Sequence, residues 1–117
     1  REPGALPRRL EPVQVGADAQ VILEAHFPDG YKRNPDAPSR VQVGVGEAAQ
    51  VYHFNATEEI AFPLEARADG EVPLEVTLYY CTVENAGLCL IHDRKLLLPV
   101  RVSADGPSKL RLAYPVD

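Results

Sequence analysis

The chain has 117 residues, with 12 Lys and Arg against 17 Asp and Glu, for a formal net charge of −5 at pH 7. That length holds one domain with its own core, and no room for two. The acidic balance, with basic residues only in isolated pairs such as Arg8-Arg9 and Lys32-Arg33, argues against a nucleic-acid partner, and no apolar run approaches bilayer length, so no membrane insertion is expected of this domain. Proline is frequent, with 11 residues, and Met and Trp are absent. The chain opens at Arg1 rather than Met, as expected of a domain within a longer protein.

In chain order, residues 1–9 read as a linker or disordered lead-in, and the domain is expected over 10–117. Leu10 to Val15 is a short strand. Gln20 to Phe27 alternates, with Val21, Leu23, Ala25 and Phe27 on one face and Ile22, Glu24 and His26 on the other. Pro28-Asp29-Gly30 breaks that strand, and the cluster from Asn34 to Ser39 is a second turn whose two prolines fix φ. Arg40 to Gly46 alternates again through Val41, Val43 and Val45. A short strand follows over Val51 to Phe54, and Glu59 to Ala66 places Ile60, Phe62 and Leu64 on one side. After a turn at Ala68-Asp69-Gly70, Val72 to Cys81 reads as the longest strand, with Leu74, Val76, Leu78 and Tyr80 opposite Glu75, Thr77, Tyr79 and Cys81. Lys95 to Val102 and Lys109 to Tyr114 close the set. No segment has helical periodicity. Short strands separated by Gly, Pro and Asp turns predict an all-β fold, an immunoglobulin-like antiparallel β-sandwich. Pro73 and Pro99 interrupt strand patterns and suggest edge positions or bulges.

Cys81 and Cys89 are the only cysteines. A strand runs up to the first, a turn-prone Glu84-Asn85-Ala86-Gly87 follows, and an apolar stretch resumes at the second. Two thiols on facing arms of a hairpin leave three readings open. A structural disulfide around a loop of this size gains about 2.5 kcal/mol of chain entropy, a replaceable amount in a domain with a real core. A redox-active pair has to reconcile cross-strand Cα spacing with fixed disulfide torsions, and strained, exposed disulfides are the more easily reduced ones. In the third reading the thiols are free and inert. Glu84 and Asp93 flank the pair, and no helix N-terminus is at hand, so neither thiol is expected to be a strong nucleophile by itself. Such a pair suits a relay, attacked by a partner that brings its own activated thiolate.

Other chemistry is poorly supplied. Cys89 and His92 have a ligand-like spacing, but an offset of three on a strand puts them on opposite faces, and two cysteines with one histidine leave a zinc site short of ligands. No metal and no cofactor is expected. His26 and His53 lie on strand patterns and read as ordinary, partly exposed histidines. No Ser/His/Asp arrangement, paired-carboxylate signature or phosphate loop is present. Asn55-Ala56-Thr57 fits a glycosylation acceptor, a tripeptide that arises often by chance.

The strand Leu74 to Cys81, the return Ala86-Gly87-Leu88-Cys89 and the strand Leu96 to Val100 resemble the N-terminal domain of the thiol:disulfide interchange protein DsbD. Pro28-Asp29-Gly30-Tyr31-Lys32 and Phe62-Pro63-Leu64 match further pieces in order. Gly30 to Ser39, taken with the Tyr79-Tyr80-Cys81 to Leu88-Cys89 hairpin, is closer still to the C-terminal β-domain of NHL-repeat-containing thioredoxin-like proteins. The resemblance spans roughly Leu10 to Val116. It implies that Cys81 and Cys89 correspond to a pair that exchanges electrons with a thioredoxin-like domain, in cis or in trans, and that an aromatic side chain shields the sulfurs. Here the turn between the cysteines is two residues longer, and the segment matching the shielding loop, Tyr52 to Glu58, is shorter. Tyr52, Phe54, Tyr79 and Tyr80 are the candidates for shielding. A domain of the NHL type implies a cytoplasmic protein and a DsbD type a periplasmic one. The activity implied is at most a thiol–disulfide exchange relay. The alternative is a non-catalytic interaction sandwich whose cysteine pair is a staple or inert.

Overall fold

The computed structural model describes residues 6–84 and 87–117. The strands are β1 (Arg8–Arg9), β2 (Val13–Val15), β3 (Gln20–His26), β4 (Tyr31–Arg33), β5 (Arg40–Val43), β6 (Gln50–His53), β7 (Glu59–Pro63), β8 (Gly70–Thr82), β9 (Cys89–Val102) and β10 (Lys109–Pro115), with one 3-10 turn at Gly46–Ala48. They form a two-layer all-β sandwich. The larger sheet runs β1-β9-β8-β5-β6, with β2 also beside β9 and β4 also beside β8; the smaller runs β10-β3-β7.

The alternation that predicts the strands also builds the core. Val21, Leu23 and Ala25 of β3, Ile60 and Phe62 of β7, and Leu74, Val76, Leu78 and Tyr80 of β8 are all buried between the sheets, joined by Leu96, Leu98 and Val100 of β9. Burying a side chain of this size is worth about 1.5–3 kcal/mol, so the register that keeps these faces inward is strongly held.

Several details depart from the sequence reading. The sheets are mixed: β1 and β2 run parallel to β9, and β10 runs parallel to β3. No short hairpin turn joins these strands, so nothing obliges them to be antiparallel. Arg8 and Arg9, expected in the lead-in, pair with Leu96 and Leu97; residues 1–5 lie outside the described residues. The longest strand is β9, with 14 residues against 13 in β8, because the polar run His92-Asp93-Arg94 hides its first half from a hydrophobicity pattern. Val45 is not on the core face but exposed, since β5 ends at Val43 and Gly44 takes a φ of +88°.

Pro73 and Pro99 sit in the two central strands, and the β8/β9 register runs without a bulge from Gly70↔Val100 to Cys81↔Cys89. Their ring nitrogens face gaps in the neighbouring ladders instead. Gly44 N–H donates to the Pro73 carbonyl at 2.8 Å and β5 stops there, where Pro73 has no N–H to return. On the other side, β1 covers β9 up to Leu97 and β2 resumes at Val100, leaving Pro99 between them. A missing donor is tolerated wherever no acceptor faces it.

The molecule measures 48 × 30 × 23 Å. At about 3.4 Å per residue, the β8/β9 hairpin alone spans nearly that long axis, whereas the strands of the smaller sheet have 5 to 7 residues. The hairpin therefore outruns its covering layer. At its closed end Leu90, opposite the inward Tyr80, and Leu88 beyond it are 38% and 51% exposed.

Candidate functional site

The uncovered end of the hairpin carries the cysteines. Cys81 and Cys89 are directly opposed in the β8/β9 register, with Cα atoms 4.0 Å apart, and are joined as a disulfide. Thr82 N–H donates to the Leu88 carbonyl at 3.0 Å one step beyond, which makes Cys81↔Cys89 a non-hydrogen-bonded pair, the kind that brings opposed side chains closest. The expected turn between them includes residues 85 and 86, which lie outside the described residues. The two residues are unequally exposed: Cys81 is half-buried and Cys89 exposed.

Tyr80 and Leu78 point into the core, so the odd-numbered residues Cys81, Tyr79 and Thr77 share the outer face of the sheet. Their partners Cys89, Ile91 and Asp93 continue that face on β9. The outer face beside the disulfide thus carries Tyr79, half-buried, and Ile91, exposed. Asp93 is further along, opposite Thr77, whose hydroxyl lies 3.4 Å from its carboxylate.

The neighbour on the other side of Cys81 comes from a segment that reads as part of a turn. Pro28-Asp29-Gly30-Tyr31 closes with Tyr31 N–H donating to the Pro28 carbonyl at 3.0 Å, and Gly30 has φ +85°, the left-handed value a type II turn demands at that place. Tyr31–Arg33 then pairs with β8 as Tyr31↔Thr82, Lys32↔Cys81 and Arg33↔Tyr80. Direct opposition puts Lys32 on the outer face with Cys81, and Tyr31 and Arg33 on the inner face.

The inner side of the same end is an aromatic anchor. Tyr80 packs on Phe27 and Tyr31 with ring centroids 5.2 and 5.5 Å apart. Burial first, and then Tyr31 and Asp117, raise the pKa of its phenol. Arg33, 6% exposed, lies 5.8 Å from the Phe54 ring centre, donates from Nε to the Thr57 carbonyl at 3.1 Å and from its other end to the Asn55 carbonyl. A buried guanidinium needs such acceptors, and through them it holds residues 55–58 against β4. Tyr52 stacks on Phe62 at 5.9 Å.

Of the shielding candidates, the fold brings only Tyr79 to the sulfur-bearing face. Tyr80 lies beneath that end, on the inner face. Tyr52 and Phe54 are also inward, since Tyr52 pairs with the core residue Val41 and Phe54 is buried under Arg33. The residues sequence reasoning missed are Lys32, Leu88 and Ile91. The apolar pair was visible as two hydrophobic residues bracketing Cys89, but nothing local announced that both would stay exposed.

Cys89 and His92 occupy opposite faces of β9. His92, 3% exposed, is turned inward, with Nε2 2.5 Å from the Tyr114 hydroxyl and Nδ1 3.3 Å from the Asp117 carbonyl. Burial lowers its pKa, outweighing the Asp117 contact that raises it. Burial likewise pushes the Tyr114 phenol up to about 12. Among the described residues no three His, Cys, Asp or Glu side chains are grouped to hold a metal ion, and no helix is long and apolar enough to cross a membrane.

Compared with known proteins, the chain matches no family model, and no curated protein sequence matches it significantly.

Proposed function

We propose that this domain is the thiol–disulfide exchange module of a larger redox protein, in which Cys81 and Cys89 form a disulfide/dithiol pair that exchanges electrons with a thioredoxin-like partner in cis or in trans. The observation that carries this reading is the position of the disulfide: on the outer face, away from the second sheet, at the closed end of the hairpin, with Cys89 exposed. A staple is least needed there, because the β8/β9 ladder already holds the two arms in register along its whole length. The exposed Leu88 and Ile91 on either side of Cys89 offer apolar surface to a partner that must approach within bonding distance. The resemblance to DsbD-like and NHL-associated β-domains, resting on Gly30 to Ser39 and on the cysteine hairpin, supports the same reading.

In the reducing direction, a partner thiolate attacks Sγ of Cys89 and the Cys81–Cys89 bond breaks. The electron pair leaves on Cys81, and the partner is joined to Cys89. The partner's second thiol then attacks its own half of that mixed disulfide, closes the partner disulfide, and releases Cys89 as a thiolate that takes up a proton. Two electrons have passed from the partner dithiol to this domain.

The test is the reduction potential of the pair and its rate of reduction by reduced thioredoxin. A potential above about −300 mV with thioredoxin turnover is expected. A lower potential with no turnover would identify the bond as a staple.

A further inference from the structure

We infer that Lys32 is an electrostatic partner of Cys81, placed to stabilise the thiolate that forms there when the disulfide opens. The inference rests on the exchange reading above for its biological use, but its physical content stands apart from it.

The argument begins with register. Lys32 and Cys81 are direct cross-strand partners on β4 and β8. Asn34 N–H donates to the Tyr79 carbonyl two residues away, which makes Lys32↔Cys81 a hydrogen-bonded pair in the same phase. Side chains so opposed have Cβ atoms about 5.5 Å apart on one face. A lysine stem is long enough to bring its ammonium group to a sulfur one bond from the neighbouring Cβ. The backbone that sets this position is itself secured. Tyr31 is packed on Tyr80, Arg33 is bonded to carbonyls of residues 55 and 57, and the turn before β4 is closed at Gly30.

Of the other charges at this end, Asp29 and Glu84 line the depression beside Thr82 and Leu88 beyond the β4/β8 pairing, and neither is a register partner of Cys81. On β8 the outer-face neighbours are Tyr79 and Thr77, both uncharged. On β9 they are Cys89 and Ile91, with Asp93 four residues along at about 13 Å and beside the Thr77 hydroxyl. Glu84 follows the end of β8 and has no cross-strand pairing with either cysteine. The nearest charge in register is therefore positive, although the flanking sequence is acidic.

When the Cys81–Cys89 bond breaks under attack at Cys89, the leaving group is the Cys81 thiolate. An adjacent ammonium lowers the pKa of that thiol, and a leaving thiol of lower pKa departs faster. Lys32 thus favours attack at Cys89 with departure of Cys81, and holds the reduced Cys81 partly ionised for the return step.

The experiment uses Lys32→Gln and Lys32→Arg. In the Cys89→Ser background, where Cys81 is the sole thiol, thiolate absorbance is followed against pH. In the disulfide-bonded protein, the rate of reduction by dithiothreitol and, separately, by reduced thioredoxin is measured. Lys32→Gln is expected to raise the Cys81 pKa by about one unit and to slow dithiothreitol reduction about three- to tenfold. Lys32→Arg is expected to restore both, and the urea midpoint to stay unchanged because Lys32 is exposed. A titration curve and a dithiothreitol rate unmoved by Lys32→Gln would overturn the assignment. If both move but thioredoxin does not reduce even the unsubstituted protein, Lys32 keeps its role and the relay reading fails.

Discussion

Between Leu74 and Tyr80 on β8, and between His92 and Val100 on β9, the long hairpin lies under the smaller sheet and its inward side chains, Arg94 excepted, are buried. Beyond Tyr80 and before His92 the same ladder continues in unbroken register, but its burial falls away. Leu90, opposite the buried Tyr80, is 38% exposed. Strand pairing and layer packing are thus separable here. Hydrogen bonds carry the hairpin past the point where burial stops, and the cysteines sit in that overhang. The exchange proposed for this pair needs access more than burial, and the overhang supplies it at little cost to the core.

The comparison can be broken most sharply by substitution in the covered half. Leu78→Ala removes a fully buried side chain and is expected to cost about 2–5 kcal/mol, read as a lower urea midpoint. Leu90→Ala on the inward face of the overhang, where the side chain is 38% exposed, should cost clearly less, about 1 kcal/mol. Comparable losses at the two sites would mean that the closed end is packed after all.

A smaller effect is expected from the disulfide. Replacing both cysteines with Ser should lower stability by no more than about 2.5 kcal/mol while abolishing electron exchange with thioredoxin. Loss of folding on that double substitution would show the overhang to be structural. Smaller again is the effect of pH on the inward face of β9. His92 is held neutral by burial, with its pKa lowered from 6.5, so the unfolded chain takes up the proton first. Stability is expected to be full above about pH 6.5 and to decline as pH falls from there toward the folded-state pKa. His92→Gln should flatten the urea midpoint over that window; an unchanged slope would show that His92 does not carry it.

How far the sequence reveals this arrangement differs from element to element. The inward faces of β3, β7 and β8 follow from the alternation of Val21, Leu23 and Ala25, of Ile60 and Phe62, and of Leu74 to Tyr80, since a period of two is a local property of the chain. The facing positions of Cys81 and Cys89 were legible for the same reason, as a strand, a turn and a return. β4 was not, because three residues are too few to show a period and a Pro-Asp-Gly turn stands directly before them. Tyr52 and Phe54 were legible as aromatic side chains beside a loop but not as core residues, because their direction depends on how β6 pairs with Val41 of β5.

By itself the sequence determined which faces of the strands would be apolar and that the two thiols would stand on facing arms of a hairpin, because side-chain alternation and a short return between arms are local geometry. Only the tertiary structure decided that the second sheet stops before the cysteines, and that Lys32 stands opposite Cys81 in a neighbourhood whose flanking sequence is acidic. Both depend on which distant strands pair and in what register, and that is set by the packing of the whole core.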